Sequence, residues 1–390
     1  MKTVTTLAEH LSTAMTFREK YPMFNEQDGK IHVLFLSPCL NESGYYRMIL
    51  PALELNKTDT HCAIMAHIHK WDFKKLFDDY DNPVSLQLVK WADYVVLPTM
   101  FSDAEYIIRA MRAVNADIDF VMDLDISYHA MPDYHPQLKS LSGDAKDTLL
   151  NNLALVDLVT APNNAILEHY KALAKGSPKE FKFYSEHYAN LVSNFTYDDV
   201  PEFYRNTNCR VRIGMLLDGF IAEDLRTIEN VLIKIMSEHR DTVELVIYGW
   251  NRKLLVRHQL LTEIPVTHQA IENTNNFPAC LNAMTIDIGL IPFANNFYNR
   301  SGLVFNRLLD FSGFMIPSVM PAVTPFNKII KDGENGFLAS THDEWHSKIT
   351  KLISDAELRR NIGQAAFQLV WETFSYTNPK AVERQTKVFA

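Results

Sequence analysis

In the stretch "DIGLIPFANNFYNRSGLVFNRLLDFSG" an apolar run ends in an asparagine-rich loop, followed by Arg300, Ser301 and Gly302 and then by a helical pattern carrying Arg307 and Asp310. Asn, Ser and Gly ahead of a helix supply caps and free N–H groups. Arg300 adds a fixed positive charge, and together they make a seat for a diphosphate. The same residues also fit an ordinary capped helix with an i,i+3 surface pair, Arg307 to Asp310, worth roughly 0.2–0.5 kcal/mol.

Other loops hold chemistry-bearing residues in the same setting. In "FLSPCLNESGYYRMILP" an apolar strand runs into Gly44, with Tyr46 and Arg47 in the first turn of a helix. Gly44 permits a tight turn, and helix-start N–H groups attract anions, so these residues fit either an anion-binding loop or a plain tight turn with an exposed Arg. No GxGxxG is present, so the dinucleotide fingerprint is absent. In "DFVMDLDISYHAMPDYHP" a strand ends in Asp123 and Asp125, with His129 and His135 beyond. Either acid can face a substrate or cap a turn. The spacing matches no hard-metal loop, and no metal site is expected. Further on, Gly214 near the end of one strand, Asp218 and Gly219 after it, and Gly249 and Arg252 at the end of the next stand where a ligand can approach the backbone closely.

Two domains suit 390 residues. With 47% hydrophobic and 22% charged residues, the chain reads as globular. A net charge of -9 gives no general attraction to phosphate backbones, so nucleic-acid binding is disfavoured. The four cysteines, Cys39, Cys62, Cys209 and Cys280, show no CxxC spacing and read as free thiols of a reducing compartment. "MKTVTTLAEHLSTAMTFREKY" has no signal-peptide apolar core, and no stretch is apolar enough to span a bilayer. The expected location is the cytoplasm, with a peripheral place at the inner membrane face left open.

Short apolar runs alternate with helical patterns, which predicts parallel sheets built from βαβ units. The first set of strands falls at 31–38, 61–68, 93–99, 119–125 and 157–163, with helices at Tyr46–Leu55, Phe73–Asp79, Asp103–Val114 and Asp144–Leu155. A segment near Ser177–Asn208 breaks the rhythm. Strands resume at 211–217, 243–249, 265–271, 286–293, 317–321 and 336–339, with a long helix at Ala222–His239 and a final pair at Thr341–Ser354 and Ala356–Phe374. Two doubly wound α/β domains would face each other across a cleft at the carboxyl ends of their strands.

The order "IDIGLIPF", "RLLDFSGFMIPSV", "PFNKIIKDGENGFLA" and "DEWHSKITKLISDAELRRNIGQAA" resembles the C-terminal domain of family-4-like glycosyltransferases of the GT-B fold, over about residues 210–375. The earlier "SGYYRMILP" and "DLDISYHAMPDYHP" are similar, more loosely, to segments of bacterial and phage polysaccharide-type members. The resemblance implies an N-terminal helical extension at 1–30, a Rossmann-like acceptor domain at 31–200, a Rossmann-like donor domain at 201–375, and a 376–390 tail returning to the N-terminal domain.

It further implies transfer of a sugar from a nucleotide diphosphate sugar, UDP- or GDP-linked, to a saccharide, lipid-linked or other hydroxyl acceptor. The transfer would be retaining and metal-independent, without a further cofactor. Asp123, Asp125 and Arg300 are then the candidate catalytic residues. Gly44, Tyr46, Arg47 and His129 lie on the acceptor side. Gly214, Gly249, Arg252, Ser301, Gly302, Leu303, Arg307 and Asp310 lie on the donor side. Asp310 stands where the family has the second Glu of its E-x7-E motif, against the donor ribose. A register that aligns Ser301, Gly302, Leu303 and Val304 with the family's F-G-L-V puts Arg307 there instead. Gly302 occupies the place of the first Glu, and the usual Lys-Gly pair is replaced by Asp218 and Gly219. These departures keep two alternatives open: a non-catalytic GT-B sugar-nucleotide-binding or partner subunit, and a nucleotide-sugar epimerase of the same fold.

Overall fold

The structure is a computed structural model that describes residues 17–26, 29–37, 44–67, 85–102, 104–139, 141, 143–175, 188–198, 206–207, 209–216, 222–248, 266–269, 277–302 and 304–390. The expected helix at Phe73–Asp79 lies outside these residues, as do Asp218, Gly219, Gly249, Arg252 and Leu303.

The chain divides into two compact units. Unit 1 draws on the described residues of Met1–His129, Lys139–Asp199 and Tyr376–Ala390, and unit 2 on those of Ala130–Leu138 and Val200–Ser375. The chain therefore changes unit more often than a single boundary near residue 200 implies.

Unit 1 is built on five strands, β1 (Ile31–Ser37), β2 (His61–His67), β3 (Tyr94–Leu97), β4 (Asp119–Asp123) and β5 (Leu158–Thr160). They pair in the order β2-β1-β3-β4-β5, and every pairing is parallel. Val33 to Leu36 of β1 are buried whichever way they point, because helices cover both faces of a parallel sheet. This explains why the strand reads as an unbroken apolar run. Helices beyond those expected include Leu86–Trp91, capped by the Ser85 hydroxyl, Asn164–Ala174, capped by the Asn163 side chain, and Asn194–Asp198. The segment 376–390 adds a helix, Pro379–Thr386, to this unit. Beyond it the Phe389 ring packs edge-on against Phe35, Tyr94 and Tyr188. Its carbonyl accepts a hydrogen bond from His61 Nε2 at 3.2 Å.

Unit 2 has six parallel strands, β6 (Val211–Leu216), β7 (Val243–Tyr248), β8 (Val266–Gln269), β9 (Ile288–Leu290), β10 (Ser318–Pro321) and β11 (Phe337–Ala339), in the order β11-β10-β9-β6-β7-β8. Alternate residues build two cores. Ile213, Met215, Leu245 and Ile247 pack on one face with the helices Glu229–Glu238 and His342–Ser354, while Leu216, Val246 and Tyr248 pack on the other with Leu281, Leu308 and Phe311. The long helix expected at Ala222–His239 is two helices, Ala222–Arg226 and Glu229–Glu238. At the break the Thr227 hydroxyl and amide both donate to the Asp224 carbonyl, at 2.6 and 3.2 Å, closing the first helix with a tight turn.

The helix Val304–Gly313, called α1 below, ends in a Schellman motif. Ile316 N–H donates to Phe311 C=O and Met315 N–H to Ser312 C=O, both at 3.0 Å. The left-handed residue is Met315, φ 57°, where glycine is usual. Its carbonyl abuts Gly363 in the helix Ala356–Thr373, called α2 below.

Candidate functional site

In each sheet the strand order reverses beside the first strand, between β1 and β3 in unit 1 and between β6 and β9 in unit 2. Ligands of open α/β sheets bind at such switch points, outside the carboxyl ends of the strands. The candidate residues fall into two constellations there, one in each unit.

In unit 1 the segment after β1 enters a π-helix, Tyr45–Ile49, with Gly44 at its N-cap in ordinary right-handed geometry, φ -63°. The turn therefore has no conformational need for glycine. Tyr46 is buried, its ring edge-on to Tyr45, and Tyr45 donates to Thr196 Oγ1 at 2.5 Å. Arg47 is 2% exposed and Asp123 3% exposed. Their contact is bidentate, Nε to Oδ2 at 2.8 Å and Nη2 to Oδ1 at 2.5 Å. Arg47 Nη1 also donates to Asn190 Oδ1 at 2.9 Å and to the Tyr188 carbonyl. The Thr160 hydroxyl donates to Asp123 Oδ1 at 2.6 Å. The planar guanidinium matches the carboxylate fork, and the pair ties the π-helix to the end of β4. Arg47 is thus a buried structural cation and not an exposed helix-start charge, and both Asp123 oxygens are occupied.

Asp125 is half-buried and shapes the next turn. Its Oδ1 accepts from Tyr128 Oη at 2.9 Å, Ile126 N at 3.1 Å and Thr99 Oγ1 at 3.3 Å. His129 Nδ1 lies 3.3 Å from the Tyr170 hydroxyl. Burial, with a smaller contribution from Lys146, pushes the His129 imidazole down to about 4, so this ring is neutral at physiological pH.

In unit 2 the loop after β9 turns through a short helix, Phe297–Ser301, before α1 begins at Val304. Arg300 and Ser301 therefore lie inside this first helix and do not cap the second. Ser301 Oγ donates back to the Phe297 carbonyl at 2.8 Å, and Gly302 forms the break, its N–H directed at the Asn299 carbonyl. Arg300 is half-buried, with Nη1 on Asn295 Oδ1 at 2.6 Å. Arg307 and Asp310 are 4% and 7% exposed. A surface salt bridge is excluded, and α1 carries Asn306, Arg307, Asp310 and Ser312 into the interior.

Three residues outside the expected set organise this loop. Asp224, fully buried, accepts from Ala294 N at 2.6 Å and Asn299 Nδ2 at 2.9 Å. Asn296 caps the short helix through Asn299 N at 2.8 Å and donates from Nδ2 to Tyr134 Oη at 2.8 Å. Burial, then the Asp224 carboxylate, raises the Tyr134 phenol. The signal in the sequence was the asparagine-rich "FANNFYN", but its carboxylate partner lies 75 residues away.

No protein-family model and no curated protein matches the chain. Solved structures do. A glycosyltransferase from Rickettsia africae aligns over 92% of this chain and 98% of its own at 15% identity, TM-score 0.55. HepE from Anabaena, in complex with UDP-glucose, aligns over 92% and 100% at 14% identity, TM-score 0.57. Sucrose-phosphate synthase from Thermosynechococcus elongatus aligns over 93% and 100% at 11% identity, TM-score 0.56. The chain has the GT-B fold. It spans 58% of the length of another GT-B neighbour, TarM, at 13% identity and TM-score 0.51. Among the described residues of this GT-B chain no cluster of three or more metal-ligating side chains occurs, and no helix is long and apolar enough to cross a membrane.

One donor-side candidate has a packing reason of its own. A Cβ on Gly214 would lie 2.3 Å from Ile286 Cδ1, so glycine makes room for a core side chain. Gly214→Ala should cost about 1–3 kcal/mol of stability through overpacking. Urea unfolding measures that loss.

Proposed function

We propose that the chain is a glycosyltransferase that moves a sugar from a nucleotide diphosphate sugar to a hydroxyl acceptor, with the donor on unit 2. The observation that carries this reading is the GT-B likeness over nearly the whole chain, including a neighbour whose structure holds UDP-glucose. Supporting it, α1, which follows the loop after β9, buries Arg307 and Asp310. Burying charge is costly and is tolerated where function or pairing requires it.

In this scheme Asp310 binds the donor ribose through its carboxylate oxygens. Arg300 and the N–H groups at the start of α1 take the negative charge that builds on the diphosphate as the bond from the anomeric carbon to its oxygen breaks. The acceptor hydroxyl forms the new bond to that carbon on the face the diphosphate leaves and passes its proton to the departing diphosphate oxygen, so the configuration is retained. Asp125 and His129 stand on the acceptor side, His129 as a neutral hydrogen-bonding ring.

Thermal denaturation with UDP, GDP and their sugars tests the reading. Stabilisation by RT ln(1 + [L]/Kd), about 2.7 kcal/mol at a hundredfold excess over Kd, is expected with one base family. Arg300→Ala should weaken that binding about tenfold, the worth of a charge-assisted hydrogen bond. No stabilisation by any nucleotide would sink the proposal. A second reading, a nucleotide-binding partner subunit without catalysis, is favoured by Gly302 in place of the family's first Glu. Binding without release of nucleoside diphosphate in the presence of any hydroxyl acceptor would select it.

A further inference from the structure

Resting on the donor reading above, we infer that Asp224 is a positioning residue for the diphosphate-binding loop. Its carboxylate fixes the Ala294–Ser301 turn and thereby the place of Arg300. The strand order carries the argument. β6 and β9 are parallel neighbours on either side of the switch point. Asp224 lies in the first helix after β6, whereas Ala294 and Asn299 follow β9. The two bonds to Asp224 Oδ1, 2.6 Å from Ala294 N and 2.9 Å from Asn299 Nδ2, therefore join the loops that flank the crevice.

From Asn299 the order propagates in short steps. Its Nδ2 also donates to the Ala294 carbonyl at 2.9 Å, its backbone N–H to Asn296 Oδ1 at 2.8 Å, and Arg300 N–H to the Asn296 carbonyl at 3.1 Å. The guanidinium of Arg300 thus hangs from a turn that one buried carboxylate fixes at Ala294 and Asn299. A second clamp holds the same turn from the Ala130–Leu138 segment of unit 2, through Tyr134 to Asn296 at 2.8 Å and His135 Nε2 to Tyr298 Oη at 3.3 Å.

Asp224 does not reach the ligand in this account. It acts by holding the turn, and its loss should matter only as far as Arg300 matters. Two measurements test this on the full chain. In hydrogen exchange, Asp224→Ala should increase exchange of the 294–301 amides while β6, β7 and α2 stay protected, and Asp224→Asn, which keeps an acceptor oxygen, should restore protection in part. In calorimetry with UDP and GDP, Asp224→Ala should weaken binding by about as much as Arg300→Ala, on the order of tenfold. The double variant should lose little more, because the two residues act as a unit. Uridine and guanosine, which lack the diphosphate, should bind the single variants as they bind the wild type.

Unchanged exchange in 294–301, or losses that add in the double variant, would overturn the role. Should Asp224→Ala not fold, Asp224→Asn and Tyr134→Phe carry the same cycle with smaller losses. A wild-type chain that binds neither UDP nor GDP would overturn the donor reading and the role together. Tight binding without coupling to Arg300 would overturn the role alone.

Discussion

Arg47→Ala is expected to destabilise unit 1 by about 3–5 kcal/mol, the cost of breaking a buried ion pair from one side. The variant leaves Asp123 buried with only the Thr160 hydroxyl, and strips acceptors on Tyr188 and Asn190 of their donor. A loss of that size is a large share of the stability of an ordinary domain, and the fraction folded at physiological temperature should fall steeply. Circular dichroism in urea measures it. The double variant Arg47→Met with Asp123→Leu should recover much of the loss, because removing both charges removes the desolvation cost with them. If Arg47 instead served the acceptor from an exposed position, Arg47→Ala would leave the unfolding free energy within about 0.5 kcal/mol of wild type. That result would contradict the bidentate contact described for the pair.

Gly363→Ala should destabilise unit 2, against the usual sign for such a change. In an exposed helix Gly to Ala gains about 1 kcal/mol. Here the added methyl would sit 2.0 Å from the Met315 carbonyl oxygen and 2.9 Å from its carbonyl carbon, and both are backbone atoms. α2 would have to move away from the end of α1, at a typical overpacking cost of about 1–3 kcal/mol or more. The clash outweighs the propensity gain, so a net loss is expected in thermal or urea unfolding. A gain in stability would show that the two helices are not packed this closely. Because α1 also carries Asp310, the proposed ribose ligand, nucleotide affinity should fall with the shift under that proposal.

The strands were legible in the sequence because parallel strands buried on both faces keep an apolar run of the right length, as "IHVLFLSP" and "VELVIYG" do. The switch-point loops were legible for the same reason, since they begin where those runs stop. Long-range polar pairing was not. Arg47 and Asp123 each looked like a loop residue free to meet a ligand, and only the fold brings together two groups 76 positions apart. Asp224 is not legible because one of two adjacent acids in "AEDL" looks like a helix-start residue, and its partners lie beyond three further strands. Gly44 and Gly214 were read as concessions to a turn or a ligand. The structure gives the first an ordinary conformation and the second a neighbouring isoleucine. Thr227, whose hydroxyl closes the helix at Arg226, shows how one local hydrogen bond divides a continuous amphipathic pattern.

The return of residues 376–390 to unit 1 bears on how the chain is made. Phe389 sits among Phe35, Tyr94 and Tyr188, yet the ribosome must finish all of unit 2 before it adds that ring. Domains generally fold as units while synthesis proceeds from the N-terminus. Here the later unit can close first, and the earlier one keeps an unfilled aromatic socket until Phe389 has been added.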